Sequence, residues 1–289
     1  MRAALALLWL LHLFPQPVLA RLGRGLGLLL YWFDAPHRRV GRINLKLCFP
    51  ERSERERERI LRAHFRALGR TLLEQGIAWW SPKARLHHTV RVEGLANWRS
   101  LKCPVILLAP HFVGLDIGGI RLASEFPLNS MYRRAKNETA DAALRRGRTR
   151  FGMTALFSRQ DGVRPVIKSL LRGEPFYYLP DQDFGKRESV FVPFFGVPAA
   201  TVPALGRMAR LAGAKVVPCV TRQLPGGYVV ELYPAWDEFP SADLEADTRR
   251  MNLFIEERVR EMPEQYFWLH KRFKTRPPGE KSFYDERFA

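Results

Sequence analysis

Downstream of Pro82, short apolar runs alternate with stretches of helical periodicity. The runs VILLA (Val105–Ala109), PFYYL (Pro175–Leu179), KVVPCV (Lys215–Val220) and YVVELY (Tyr228–Tyr233) have the length and side chains of strands. Between and after them, DAALRRGRTR, GVRPVIKSLLRG, TVPALGRMARLAG and LEADTRRMNLFIEERVREM read as helices. This alternation restricts the fold to the α/β class: one domain with a central, mostly parallel or mixed sheet flanked by helices. Upstream, residues 51–80 read as a long helix, with Ile60, Leu61, Phe65, Leu68 and Leu72 at helical spacing and a solvated Glu/Arg face at Glu54–Arg59. No internal repeat and no linker divides the chain.

VILLA is apolar on both faces, as a buried strand is. It runs directly into APHFVGLDIGG, so His111 lies just beyond a strand's carboxyl end, where open α/β sheets place their sites. Gly114 permits a tight turn and Asp116 starts the next helix. Five helical steps would separate His111 and Asp116 by about 140° around an axis, so they are not partners on one helix face. With His111 in the loop and Asp116 in the first helical turn, the chain can fold back and let them meet. The carboxylate would then take the Nδ1 proton and leave Nε2 free as a general base for an alcohol. On spacing alone, an N-cap aspartate and a structural histidine rank ahead of catalysis.

The charge narrows the partners. With 47 Lys and Arg against 29 Asp and Glu, the formal net charge is +18, more than solubility requires, and such a chain seeks polyanions. Nucleic acid is one candidate, but no zinc-finger spacing, RNP signature or basic zipper region is present. Anionic membrane, an acidic protein and a phosphorylated substrate remain. Basic clusters stand at Arg133, Arg134 and Lys136, at Arg145 to Arg150, and at Lys271 to Arg276. Cys48, Cys103 and Cys219 are far apart and odd in number, which argues for reduced thiols. No HExxH, CxxC, Walker loop or GxSxG elbow occurs, so neither a metal nor a serine nucleophile is expected.

The first 34 residues carry two apolar patches, neither reaching the ~20 residues needed to span a bilayer alone. Arg21 and Arg24 interrupt them, and Trp9 and Trp32 suit a segment lying in the interface. The expectation is an uncleaved N-terminal membrane-anchoring helix over 1–34 on the cytosolic side, with a cleaved signal or a single span as alternatives. The remaining 35–289 form the catalytic domain.

Four segments change the odds on His111. HFVGLD, YRR at Tyr132–Arg134, YLPDQDFGKRESVFVPFFGVPAAT at Tyr178–Thr201 and INLKLCFPE at Ile43–Glu51 resemble, in order, the late acyltransferases of lipid A biosynthesis, the lauroyl/myristoyl family. That resemblance covers nearly the whole chain, and the DQDFG to FVPFFG block is its most specific part. It implies an HxxxxD dyad of His111 and Asp116 and acyl transfer from an acyl-carrier-protein thioester, with no resident cofactor. It also implies an anionic lipid acceptor, a phosphorylated glucosamine disaccharide, at the cytosolic face of a Gram-negative inner membrane. By the same resemblance Arg133, with Arg134 beside it, is a substrate or phosphate contact. Asp181, Gln182 and Asp183 form an acidic motif after a strand, positioning basic groups or touching substrate. Phe194, Phe195 and Gly196 border an acyl tunnel or pack as core aromatics, and Thr201 lies near substrate or caps the following helix. Arg133 or Arg159, or backbone amides, would face the thioester oxygen. The runner-up acceptors are another glycolipid, an ornithine-type lipid and a lysophospholipid. A protein that keeps the fold without catalysis, and a thioesterase, stand further off.

Overall fold

The computed structural model describes residues 1–151, 155–158 and 162–285. Helices α1 (Arg2–Leu11), α2 (Gln16–Phe33) and α3 (Ala35–Cys48) lead into the long α4 (Glu54–Trp80). A capping box starts α4: Ser53 accepts from the Glu56 amide while the Glu56 carboxylate accepts from the Ser53 amide. Then follow α5 (Lys83–Thr89), β1 (Val90–Glu93), α6 (Ala96–Arg99), β2 (Val105–Leu108), α7 (Leu115–Ala123), β3 (Asn129–Tyr132) and α8 (Glu138–Arg148). Next come β4 (Leu156–Ser158), α9 (Arg164–Leu171), β5 (Phe176–Tyr178), the hairpin β6 (Val190–Phe194) with β7 (Val197–Thr201), and α10 (Ala204–Ala212). Strands β8 (Lys215–Leu224) and β9 (Gly227–Leu232) precede α11 (Leu244–Glu261), and a 3-10 turn at Pro263–Gln265 begins the C-terminal segment.

Seven strands form the main sheet in the order β1-β9-β8-β2-β5-β3-β4. Every pairing is parallel except β8 with β9, so the sheet is mixed, as the alternation of elements predicts. β2 is central and buried along its whole length. Its residues alternate between two cores: Ile106 and Leu108 face one, Val105 and Leu107 the other, where α7 packs. The short strands β1, β3 and β4 lack a distinctive apolar run, and pattern alone does not mark them.

The N-terminal helices pack on α4 through a stripe of small residues. A Cβ on Gly27 would lie 2.1 Å from the Phe65 carbonyl oxygen, and one on Gly69 would lie 2.4 Å from that of Gly23. The two backbones therefore touch where side chains would normally intervene. The same approach tilts the buried face of α4 away from its apolar spacing. Ile60, Leu61 and Phe65 are buried as expected, but Leu72 is 46% exposed, and Arg70 and Glu74 take its place inside. Burial of this pair is supported on every side. Arg70 Nε meets both Glu74 oxygens at 3.0 and 2.9 Å, and its terminal nitrogens donate to the carbonyls of Leu224 and Gly227. Glu74 also accepts from Gln16 and from the Tyr228 hydroxyl. One buried ion pair thus joins α2, α4 and the β8–β9 turn, and removing either partner would strand the other.

No helix among the described residues is long and apolar enough to cross a membrane. The spanning alternative for residues 1–34 finds no support in α1 or α2. What they do carry is an outward apolar face: Leu7, Trp9, Leu10, Leu13, Phe14, Leu22, Leu29, Trp32 and Phe33 are all exposed, Phe33 at 83%. The three cysteines are free, two of them buried.

Two consequences can be measured. Gly27→Leu wedges α2 off α4 and should lower stability by at least ~1–3 kcal/mol, read as a drop in the thermal midpoint; an unchanged midpoint would contradict the packing. The second concerns His64 of α4, which is fully buried with Nδ1 3.1 Å from the Glu264 carbonyl oxygen. Burial pushes its pKa down to about 4. The unfolded chain takes up a proton near pH 6.5 that the folded chain refuses until about 4, so stability should fall as pH drops through that window. Urea midpoints at pH 7 and pH 5 should differ less for His64→Phe than for the parent protein.

Candidate active site

The register of two parallel strands builds the site. β2 pairs with β5 so that Leu108 lies beside Tyr178. The ladder extends one bond further, from the Ala109 amide to the Tyr178 carbonyl at 2.8 Å. Three residues beyond Leu108 is His111, and three beyond Tyr178 is Asp181. Both leave the carboxyl edge of the sheet side by side. His111 Nδ1 is 2.7 Å from Asp181 Oδ1, and the His111 amide donates to both carboxylate oxygens at 3.2 Å. His111 Nε2 is 3.0 Å from the side-chain amide of Gln182. One arrangement satisfies all four contacts: Nδ1–H donates to Asp181, and the Nε2 lone pair accepts from Gln182.

Asp181 is buried, its side chain 1% exposed, whereas the His111 side chain is 18% exposed. Burial alone would raise the Asp181 pKa. The charge and hydrogen bond of His111 outweigh it, helped by Arg272 and a hydrogen bond from Tyr266, and hold the carboxyl below its usual range. It therefore stays ionised and fixes the imidazole. The His111 carbonyl is tied as well, accepting from the Phe267 amide at 2.9 Å.

Asp116 is elsewhere. It lies in the first turn of α7, where the sequence places it, but its carboxylate is taken by two other elements. Arg148 Nε of α8 donates to one oxygen at 2.5 Å, and Gln75 Nε2 of α4 donates to the other at 2.6 Å. No hydrogen bond joins it to His111 among the described residues; Asp181 occupies the Nδ1 position expected for Asp116. The physical reason is the register above, which places a carboxylate from the neighbouring strand at Nδ1, while Arg148 and Gln75 hold Asp116 away from it. Gly147 seats Arg148: a Cβ there would lie 2.3 Å from the Trp79 indole, so α8 rests directly on that ring. Asp116 and Arg148 stand at the mouth of a narrow cleft, with about 40 Å³ of room, lined below by Ile120, Leu128, Leu156 and Leu179.

The other expected residues divide. Gln182 joins the site directly. Asp183 does not: it is buried, and accepts from the Thr275 amide and hydroxyl at 2.6 and 2.7 Å and from the Gly185 amide. Arg133 and Arg134 are exposed at the end of β3, with no hydrogen-bonded partner among the described residues. Arg159 lies outside the described residues. Phe194 is fully buried and packs on Tyr266 and Phe273, which makes it core. Phe195 and Gly196 are the two central residues of the β6–β7 hairpin, both at positive φ (51° and 78°), the turn that matches strand twist. Thr201 is buried and accepts from Arg272 at 2.7 Å; it does not cap α10, whose N-cap is Pro203.

Sequence reading missed several supporting groups. Gln75 sits in a helix 41 residues before Asp116. Tyr266 and His270 come from a C-terminal segment that carries no motif of its own. His270 Nε2 accepts from the Asp183 amide at 3.0 Å, and burial, with the neighbouring charge of His111, lowers its pKa to about 4. The RRGRTR run at 145–150 gives a signal, but only as one basic cluster among several. Among the described residues, no group of three His, Cys, Asp or Glu converges as a metal site.

Comparison with known proteins identifies the family. Residues 2–275 match the family described as bacterial lipid A biosynthesis acyltransferase. The chain is 38% identical to the lipid A biosynthesis lauroyltransferase of Escherichia coli (strain K12) over 286 residues, 97% of this chain and 93% of that protein. It is 37% identical to the lipid A biosynthesis myristoyltransferase of the same organism, covering 92% and 83%. A lipid A biosynthesis acyltransferase of Haemophilus influenzae is 35% identical over 94% of this chain and 89% of its own length. Similarity over nearly the whole length of both chains, together with the matched family, leads to one conclusion: the chain belongs to the bacterial lipid A biosynthesis acyltransferase family.

Proposed function

We propose that the protein is an O-acyltransferase that moves a fatty acyl chain from an acyl-carrier-protein thioester to a hydroxyl of a lipid A precursor. The observation that carries this reading is His111, held through Nδ1 by a buried ionised Asp181 while Nε2 is turned toward the half-buried Gln182 side chain at a partly open edge. In this reading the acceptor hydroxyl takes the place of the Gln182 amide at Nε2. Nε2 removes its proton as the hydroxyl oxygen attacks the thioester carbonyl carbon. Asp181 stabilises the imidazolium that forms. The tetrahedral intermediate collapses with loss of the C–S bond, and the thiolate leaves as a thiol with the proton from Nε2. An ester and a free carrier thiol result.

Asp116 has a different part from the one its spacing suggests. It anchors Arg148 at the mouth of the apolar cleft, and the bound guanidinium supplies positive charge for the carbonyl oxygen as it becomes negative. The acyl chain then begins in the cleft lined by Leu128, Leu156 and Leu179, in place of the filled core around Phe194. The basic end of α8, with Arg145, Arg146 and Arg148 in its last turn, faces the acidic carrier protein. The exposed apolar side chains of α1 and α2 rest in the interface of the cytosolic face of the inner membrane without crossing it.

These roles separate in mutants. His111→Ala should lower kcat by ~10²–10⁴, measured by product mass with acyl-carrier thioesters and a tetra-acylated precursor. Asp181→Asn should cost a comparable amount. Asp116→Asn should cost less and act through Arg148, so that Arg148→Ala with Asp116→Asn is no worse than Arg148→Ala alone. If instead Asp181→Asn were near parent activity while Asp116→Asn abolished turnover, Asp116 would be the histidine's partner during catalysis.

A further inference from the structure

Another concave region lies away from the cleft beside Asp116 and Arg148. Between α3 and the C-terminal segment is a groove with about 420 Å³ of room. Its floor is apolar, formed by Val40, Ile43, Leu269 and the Tyr284 ring, and its rim is cationic. His37 and Arg39 come from α3; Lys271 and Lys274 come from the opposite side. A hydrogen bond from the Lys274 amide to the Lys271 carbonyl closes a turn that sets the two lysines at its ends. Between them, Arg272 and Phe273 point inward, at 3% and 0% exposure.

That turn is held rigidly. Asn44 donates to the carbonyls of Trp268 and His270 at 2.6 and 2.8 Å, Arg272 donates to Ala200 and Thr201, and Thr275 donates to Asp183. The lysines themselves take no part in this. Among the described residues neither ammonium has a carboxylate within ion-pair distance, and the Lys271 ammonium lies 5.6 Å from the Tyr284 ring centre. Arg39 is committed to the carbonyls of Tyr284 and Asp285, and His37 to Asp34. So two unpaired ammonium groups are displayed by a preorganised turn over an apolar floor. A site of that kind fits an amphiphile whose head is a compact multiple anion.

Position adds the rest. The back wall is His270, which bonds the Asp183 amide and lies close enough to feel the His111 charge. The groove therefore abuts the DQD segment that holds the catalytic histidine. At its other end, α3 begins immediately after Trp32 and Phe33, two of the most exposed aromatic side chains of the molecule. We propose that this groove is the subsite for a phosphomonoester on the acyl acceptor, with Lys271 and Lys274 as its principal contacts. This rests on the acyl-transfer reading above and adds a specificity determinant to it.

The test uses the detergent-purified full chain and its Lys271→Ala/Lys274→Ala variant. Each is given one glycolipid acceptor in two forms, phosphorylated and enzymatically dephosphorylated. For the parent, kcat/KM should favour the phosphorylated form. The variant should show a KM for that form raised roughly tenfold or more, with the preference between the two forms largely gone. Inorganic phosphate should compete with the phosphorylated acceptor for the parent and lose that effect in the variant, which assigns the site to the phosphate group itself. Two results would overturn the proposal: an unchanged preference in the variant, or a rise confined to the KM of the acyl-carrier donor, which would make the turn a carrier-docking surface. Equilibrium binding of the two labelled acceptors is measured alongside. If the parent transfers no acyl group, the acyl-transfer reading fails, while the difference in binding still decides the phosphate subsite. Because both lysines are exposed, an unchanged thermal midpoint will show that the variant is folded.

Discussion

The parallel register of β2 on β5 is the constraint on which the site depends. Leu108 beside Tyr178 is a backbone fact, set by two short buried strands. The histidine–carboxylate pair is counted from it, three residues to His111 on one strand and three to Asp181 on the next. A slip of this register by one residue would turn every β2 side chain to the opposite core and separate histidine from carboxylate at once. The apolar packing of Ile106 and Leu108 on one side and Val105 and Leu107 on the other therefore does two things. It stabilises the sheet, and it sets the distance of a hydrogen bond that forms beyond the sheet.

This also explains what could be read from the chain and what could not. VILLA followed by a histidine is a local pattern, and it located His111 correctly at a strand's carboxyl end. The identity of its partner is a matter of strand order. Nothing within HFVGLD says that the strand 70 residues later lies next door, so the nearby Asp116 was the natural candidate. The DQDFG block was visible as a motif, but its two aspartates do opposite things. Asp181 faces the histidine; Asp183, two residues on, secures Thr275 of the C-terminal segment. In a regular strand residues two apart share a face, so these neighbours diverge because the backbone beyond β5 is irregular, and only the packing of the C-terminal residues reveals which faces which way.

The helices show a similar mix. Most of the long and periodic ones appeared in the pattern with boundaries off by a few residues. The burial of Arg70 and Glu74 did not, since charged residues on a helix are ordinarily a solvated face. Their environment is set by Gly23, Gly27 and Gly69, which bring two backbones together beside a buried charge pair that is hydrogen-bonded on all sides. The strong positive balance was legible as a preference for anions. Its distribution over the surface is a property of where the basic groups end up: on α8 beside Asp116, at the end of β3, and on the turn over the α3 groove.

The C-terminal segment is not a tail. Phe267 bonds the His111 carbonyl, Tyr266 bonds Asp181 and Thr275 bonds Asp183, so residues close to the end of the chain close the ring around the histidine. These bonds join residues far apart in sequence, Phe267 to His111 and Tyr266 to Asp181, so the loops between them must close before the pair has its outer support. Organisation of the histidine–carboxylate pair is thus a non-local property of the fold, sensitive to loosening of a segment that holds neither member.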